Sequence, residues 1–141
     1  MSQGPAPYGA PITLEAAKKV MAAAEAEANA NNWSVVIYIL DSGGNAVMLH
    51  RLDNTQYGSL VVAEGKARTA LNFRRPSKAF QDLIAGGGPA HGFLTFSNIT
   101  AVQGGLPIII DGKIIGAIGV SGGASEQDGV AAKAGVDSLA K

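Results

Sequence analysis

The segment from Gly104 to Gly123, GGLPIIIDGKIIGAIGVSGG, carries the clearest structural pattern of this chain. Within it, Asp111-Gly112 favours a tight two-residue β-turn, because both turn positions require positive φ. An antiparallel hairpin exposed to water has one polar face, and this hairpin has almost none. Both of its faces are therefore expected to be covered, by helices or by another subunit. The predicted partners across the turn are Ile110 and Lys113, Ile109 and Ile114, and Ile108 and Ile115.

Strict alternation along the second strand divides its side chains between two faces. Ile114, Ile118 and Val120 are predicted on one face, and Ile115 and Ala117 on the other. The glycines at 116, 119 and 122 repeat every three residues, which excludes the G-x-G-x-x-G spacing of a dinucleotide-binding turn. Close packing of the final Ala-rich helix is the expected reason for them.

The first half of the chain alternates helical and strand patterns. Thr13 is predicted to cap a helix with an apolar stripe from Leu14 to Ala28. The run WSVVIYIL (33–40) predicts a central strand buried on both faces, and AVMLHRL (46–52) completes a first hairpin. A second helix is predicted over 59–73, where Arg74-Arg75-Pro76 ends it.

The second half is read in the same way. Ser77 is predicted to cap a short helix to Ala85, residues 86–92 predict a loop, and 93–103 predict a short edge strand or irregular turns. Ser125 to Asp128 has the form of a capping box for a last helix to Lys141. The order predicts one α+β domain with an antiparallel sheet over 12–141, after a flexible lead over 1–11.

Composition excludes several functional classes. The chain has no cysteine, which excludes disulfides, thiolate catalysis and cysteine–zinc sites. Eleven basic residues balance eleven acidic ones and are scattered, which argues against a nucleic-acid or membrane surface. Neither a transmembrane stretch nor a signal sequence is seen, so we expect a soluble, cytoplasmic protein.

Several blocks of the sequence resemble one known family. They are NNWSVVIYILDSGGNAV (31–47), Arg51 with Asp53, AEGKARTAL (63–71), the segment Gly104–Gly123, Gln127-Asp128 and AAKAG (131–135). Together they are similar to the GlcG/HbpS-like family, which includes haem-binding proteins and the C-terminal domain of PduO-type proteins. The resemblance implies a profilin-like fold with a five-stranded antiparallel sheet between helices, and assembly into homo-oligomers. It implies haem as a cofactor, but no iron ligand is carried over, because the family does not hold one at a fixed position.

Two histidines are the candidate iron ligands, since histidine is the commonest axial ligand of haem. His91 lies in the glycine-rich GGGPAHG segment, where its ring is free to adjust to an iron, and it is preferred. His50 lies late in the second strand, which fixes its direction. The ordinary interpretation of both is a surface histidine. No other metal site is predicted.

Charged residues in the family-like blocks form a second candidate site. Arg51 and Lys66 suit a haem propionate or an organic acid, with Arg74-Arg75 as a further source of positive charge for the propionates. Asp128 is a candidate ligand-binding residue, and Glu126 would be the general base if the protein is an enzyme. The ordinary interpretation is structural, with Asp128 closing the capping box and Arg51 or Lys66 neutralising a neighbour.

Three functions follow from these patterns. The first is a haem-binding protein for storage, sensing or handling. The second is a small lyase, isomerase or hydrolase acting on an organic acid, and the third is a non-catalytic subunit of an oligomeric assembly. The resemblance favours haem binding, whereas the absence of a Ser-His-Asp order weakens the enzyme interpretation. Whether the protein is an enzyme stays open at this point.

Overall fold

A four-stranded antiparallel sheet in the order β2-β1-β4-β3 forms the centre of the fold. The computed structural model describes residues 4–139. Its strands are β1 (Val36–Asp41), β2 (Ala46–Arg51), β3 (Gly105–Ile110) and β4 (Lys113–Ser121). Its helices are α1 (Leu14–Ala30), α2 (Ser59–Phe73), α3 (Lys78–Ala85) and α4 (Ser125–Asp137), with a 3₁₀ helix over Gly88–Thr95. The α+β class is confirmed, and the expected fifth strand is corrected to four strands among the described residues.

Helices of the same chain cover both faces of the sheet. Residues of α1 and α4 pack on the face that carries Ile37, Ile39 and Ile118. Residues of α2 pack on the opposite face, beside Val36 and Leu40. Strand β1 lies between two neighbours and has apolar residues on both sides, as expected of a central strand. Much of the apolar hairpin is therefore buried within the chain, whereas Ile109 on the edge strand β3 is 43% exposed.

A β-bulge at Ile115 corrects the predicted hairpin register. Ile110 pairs with Lys113 and Ile109 with Ile114, as predicted, but Ile108 pairs with Gly116 and not with Ile115. The extra residue reverses the later alternation of side chains. Ile114 therefore lies with Ala117 on the α2 face, while Ile115 packs with Ile118 and Val120 against α1 and α4.

The cap predicted for α1 is observed in full, and the cap predicted for α3 is observed in part. Thr13 caps α1 as predicted, since its Oγ1 accepts a hydrogen bond from the Ala16 amide at 3.1 Å. Ser77 occupies the cap position of α3 as predicted, but its side chain makes no capping hydrogen bond. Its Oγ donates to the Val102 carbonyl at 2.6 Å and accepts from the Gly105 amide at 2.9 Å. This hydroxyl holds the start of β3 against α3.

The start of α4 also differs from the predicted capping box. Ala124 takes the cap position and Ser125 is the first helical residue. The Gln127 Oε1 accepts from the Ala124 amide at 3.0 Å, which is half of a capping box. Asp128 does not close the box, because its carboxylate is used elsewhere. The described helix ends at Asp137, and the predicted end at Lys141 lies outside the described residues.

Two irregular regions also take definite forms. The predicted loop 86–92 is largely the 3₁₀ helix Gly88–Thr95, and the rest of 93–103 consists of irregular turns, one of the two expected alternatives. In the predicted flexible lead, Pro7 accepts from the Ile114 amide and Gly9 donates to the Ile114 carbonyl, each at 2.8 Å. The described part of this lead therefore packs along β4. No helix among residues 4–139 is long and apolar enough to cross a membrane.

Candidate functional site

The most deeply buried charges are Lys66 on α2 and Asp128 on α4. Lys66 is 1% exposed and Asp128 is 2% exposed, and Lys66 Nζ lies 3.0 Å from Asp128 Oδ2. Lys66 also donates to the Val120 carbonyl at 2.9 Å, and the Gly123 amide donates to Asp128 Oδ1 at 2.9 Å. A buried ion pair requires this kind of additional hydrogen bonding to offset desolvation.

Burial dominates the ionisation of this pair. Loss of hydration lowers the pKa of Lys66 and raises the pKa of Asp128, and the attraction between the two charges opposes both changes. The side chains are also covered by backbone. A Cβ at Gly104 would lie 2.9 Å from Lys66 Nζ and 2.5 Å from the Val120 oxygen, so only glycine fits over the pair. Both residues are thus enclosed in the fold and are not presented to a ligand.

His50 lies on the edge strand β2 and already has a partner. Its Nδ1 contacts the Glu25 carboxylate of α1, and the side chain is exposed. This contact joins β2 to α1. An imidazole held in this way has to leave its carboxylate, or use its other nitrogen, to bind an iron.

His91 lies in the 3₁₀ helix Gly88–Thr95 and is exposed. Residues three apart lie above one another in a 3₁₀ helix, so His91 and Leu94 share one face. Leu94 is 66% exposed, and Phe96, which follows the helix, is 46% exposed. An exposed imidazole and an exposed leucine therefore share one face of this helix, and an exposed phenylalanine follows it; we call these three residues the His91 patch (His91, Leu94 and Phe96).

Edge-to-face aromatic contacts anchor this helix to the rest of the domain. The ring centroids of Phe93 and Phe96 are 5.7 Å apart, and Phe93 lies 5.0 Å from the buried Phe80 of α3. The Arg75 guanidinium lies 5.5 Å from the Phe80 ring, whereas Arg74 stacks over Tyr8 at 5.8 Å. Of the two adjacent arginines, Arg75 is therefore the one in the cluster of the 3₁₀ helix.

Arg51 lies at the end of β2 in different surroundings. Its guanidinium lies 5.4 Å from the ring centroid of Tyr57. Both residues line a cleft of about 440 Å³, which we call the 51–57 cleft, with Asp53, Asn54, Thr55 and Gln56. The structure thus keeps Arg51 and Asp53 together, as neighbours in one cleft.

The charged residues that were predicted to bind an organic acid do not lie together in one pocket. Lys66 is buried with Asp128, Arg51 stacks on Tyr57, and Glu126 is exposed in the first turn of α4. Within residues 4–139, no group of three histidine, aspartate or glutamate side chains is placed to hold a metal ion. The predicted structural role is found for Lys66, which neutralises Asp128.

Sequence reasoning missed two features of these sites. The first is the contact chain from Arg75 through Phe80 to Phe93, although the concentration of phenylalanines between 73 and 96 was a visible signal. The second is Thr55, a buried hydroxyl that donates to the Leu52 carbonyl at 2.6 Å and holds the cleft loop. No local pattern marks Thr55, because its partners depend on the folded turn.

Comparison with known proteins agrees with this fold. Residues 12–137 match the family model described as haem degrading protein HbpS-like. The protein GlcG of Escherichia coli (strain K12) is 39% identical over 110 residues, which cover 78% of this chain and 81% of GlcG. The crystal structure of Klebsiella pneumoniae protein ORFY superposes with a TM-score of 0.87 at 32% identity, covering 99% of this chain and 98% of that one.

A haem complex is also among the similar structures. The crystal structure of the PduOC:heme complex has a TM-score of 0.82 at 24% identity, with 92% of this chain and 95% of that chain covered. At this identity, the likeness concerns the fold alone. The match over residues 12–137, together with the 39% identity to GlcG, shows that this chain belongs to the HbpS-like family.

Proposed function

We propose that this protein binds haem for storage, sensing or handling, with His91 as the protein ligand to the iron. The family description names haem, and a protein of the same fold has been crystallised as a haem complex. Those facts concern the relatives. For this chain, the proposal depends on whether its own residues suit a porphyrin.

The observation that carries the proposal is the His91 patch. Haem presents two large apolar faces and an iron that an imidazole nitrogen coordinates. The patch offers an exposed imidazole with an exposed leucine on the same face of a 3₁₀ helix and an exposed phenylalanine directly after it. A solvent-exposed apolar surface of this kind is typical of ligand or protein contacts.

Arg75 is the proposed partner of a propionate. It lies in the aromatic cluster that supports the 3₁₀ helix, and a guanidinium pairs with a carboxylate through two parallel hydrogen bonds. Lys66 is unsuited to this role, because it is buried and paired with Asp128. His50 is less suited than His91 to bind iron, because Glu25 already holds its Nδ1.

The patch covers one face of a porphyrin, so the other face needs a second cover. We propose that a second copy of this chain supplies this cover, so that haem binds between two chains of a homo-oligomer. We further propose a cytoplasmic protein that works without nucleic acid or membrane. The balanced and scattered charge supports the part of this proposal that concerns nucleic acid and membrane surfaces.

Titration with hemin tests the proposal. Specific binding gives a sharp, saturable Soret band with a fixed ratio of haem to chain, whereas adsorption gives a broad band with no end point. Leu94→Ser is expected to weaken binding about tenfold through lost apolar contact. Arg75→Gln is expected to weaken it, while the adjacent Arg74→Gln, a matched control, leaves it unchanged.

Two outcomes would overturn the proposal. One is a titration without saturation, and the other is equal affinity in wild type, Leu94→Ser and Arg75→Gln. Adding ascorbate to the saturated complex in air, with dioxygen as the oxidant and catalase present to remove peroxide, separates two further functions. A Soret band that persists indicates storage or sensing, and one that disappears indicates the degradation named in the family description.

A further inference from the structure

The 51–57 cleft is a second site, separate from the His91 patch. Its volume of about 440 Å³ lies within the range of small-molecule sites. Its lining is polar, with a guanidinium, a carboxylate, two amides and a phenol. None of these side chains belongs to the haem proposal.

Arg51 supplies the positive charge of this cleft, and its position allows it to bind an anion. Among residues 4–139, the salt bridges of arginine and lysine involve Lys66, Arg68, Lys78 and Lys133, and none involves Arg51. The guanidinium carbon lies over the ring of Tyr57, 5.4 Å from its centroid, and Tyr57 is 78% exposed. A cation–π contact of this kind positions the guanidinium without using its N–H groups, which can then bind a carboxylate through two hydrogen bonds.

The loop that forms the cleft is held in place by its own buried hydroxyl. Thr55 is buried, and its Oγ1 lies 2.6 Å from the Leu52 carbonyl oxygen and 3.2 Å from that of Val35. Gln56 Nε2 donates to the Ser59 hydroxyl at 3.0 Å at the start of α2. The cleft is therefore organised before any ligand binds, which reduces the entropy cost of binding.

Asp53 restricts the kind of carboxylate that fits. It lines the same cleft as Arg51 but forms no salt bridge with it in the described structure. A simple carboxylate would gain from Arg51 and be repelled by Asp53. A ligand that also carries a hydrogen-bond donor beside its carboxylate would satisfy both residues.

We propose that the 51–57 cleft binds a small carboxylic acid with a hydroxyl or ammonium group on the adjacent carbon. Arg51 holds the carboxylate, and Asp53 accepts a hydrogen bond from the neighbouring donor. Hydroxy acids and amino acids share this chemistry, and the experiment below separates them. The proposal does not depend on haem binding, because the two sites use different residues.

Four probes of nearly equal size test the chemistry: lactate, alanine, propionate and lactamide. Each is titrated into ¹⁵N-labelled protein, and the Nε–Hε signal of Arg51 is followed together with the backbone amides of 51–57. Lactate or alanine is expected to give a saturable shift. Propionate lacks the donor and lactamide lacks the charge, so each is expected to bind about tenfold more weakly. The tighter of lactate and alanine identifies the class of ligand.

Variants assign the two roles. Followed by the backbone amides of 51–57, Arg51→Gln is expected to abolish the shift and Arg51→Lys to retain weak binding, because lysine keeps the charge without the paired geometry. Asp53→Asn removes the negative charge but keeps a hydrogen-bond acceptor, so it is expected to strengthen propionate binding and to narrow the preference for lactate without abolishing it. Arg74→Gln is the matched control, since Arg74 also stacks on an exposed tyrosine, Tyr8, but lies outside the cleft.

The proposal is overturned if no probe gives a saturable shift at about 50 mM, a limit far weaker than a specific site requires. It is also overturned if Arg51→Gln, with a well-dispersed spectrum that shows it folded, binds as tightly as wild type. Should Arg51→Gln fail to fold, Arg51→Lys and Asp53→Asn decide the result. Unchanged hemin titration in the Asp53→Asn variant would show that the two sites are independent.

Discussion

Lys66 Nζ and Asp128 Oδ2 lie 3.0 Å apart and join helices that pack on opposite faces of the sheet. Lys66 on α2 reaches the carboxylate of α4 where the backbone of Gly104 covers the pair. The same lysine donates to Val120 of β4, so one side chain joins two helical layers and the sheet between them. This ion pair is accordingly assigned to the stability of the fold.

Removing one partner of this pair is expected to be severely destabilising. Lys66→Met leaves the Asp128 carboxylate buried without its cation, and should lower the free energy of unfolding by about 3–5 kcal/mol. Urea denaturation followed by circular dichroism measures this change. The double variant Lys66→Met/Asp128→Leu is expected to lose less than Lys66→Met alone, because no charge is then left unpaired.

The exposed pair of Lys133 and Asp137 provides the matched control. It is also a lysine–aspartate contact, at 2.6 Å, but its side chains are 71% and 55% exposed. Lys133→Met should therefore change the free energy of unfolding by less than about 1 kcal/mol. Equal losses in Lys66→Met and Lys133→Met would contradict the assignment.

The buried carboxylate also predicts an unusual dependence of stability on pH. Burial raises the pKa of Asp128 above its ordinary 3.8, so the folded protein takes up this proton at a higher pH than the unfolded chain. The stabilisation from Asp128 is thus complete below 3.8 and decreases as the pH rises through the folded pKa. The difference in unfolding free energy between wild type and Asp128→Asn, measured from pH 3.5 to 7, should decrease with rising pH. A difference that increases over this range would contradict the prediction.

Gly119 allows α2 to lie directly on β4. A Cβ at this position would lie 2.0 Å from the Ala63 carbonyl oxygen and 2.6 Å from the Ala67 amide nitrogen, so backbone has to move. Gly119→Ala is expected to lower the free energy of unfolding by about 1–3 kcal/mol or more. Gly58→Ala is the control, because a Cβ at Gly58 meets nothing within 4 Å. Thermal denaturation of the two variants separates the loss of packing at Gly119 from the general effect of replacing a glycine by alanine.

The protein is predicted to form a homo-oligomer in solution. Multi-angle light scattering at micromolar concentration is expected to give a multiple of the 14.3 kDa chain mass. Saturation with hemin is expected to stabilise the assembly, since a second copy is proposed to cover the porphyrin. A mass of one chain both with and without hemin would refute this prediction.

The periodicity of apolar residues identified most of the helices and strands, because local sequence patterns determine where these elements form. The helix predicted over 59–73 is observed over the same residues, and the Asp111-Gly112 turn has positive φ at both positions, 52° and 74°. The error in the hairpin came from one inserted residue, since the bulge at Ile115 reverses every later side chain. Alternation alone cannot show such an insertion. The expected role of the glycines was also wrong, because Gly119 faces α2 and Gly116 faces the Leu40 carbonyl, not the final helix.

The candidate site was harder to predict, because it depends on contacts between residues that are far apart in the sequence. Lys66 and Asp128 are separated by 62 positions, and their charges predict a ligand-binding role for both. Only the fold shows that they neutralise each other. Arg51 and Asp53, two positions apart in the sequence, line the same cleft. His91 stays a prediction as an iron ligand, supported by its exposed position next to Leu94.

Absorption spectra of the hemin-saturated wild type, His91→Ala and His50→Ala show whether His91 holds the iron. Ligation by His91 predicts that His91→Ala alone loses the spectrum of histidine-bound haem and weakens haem binding by about tenfold or more. His50→Ala should keep both the spectrum and the affinity of wild type. The same spectrum and the same affinity in all three proteins would contradict the claim that His91 holds the iron.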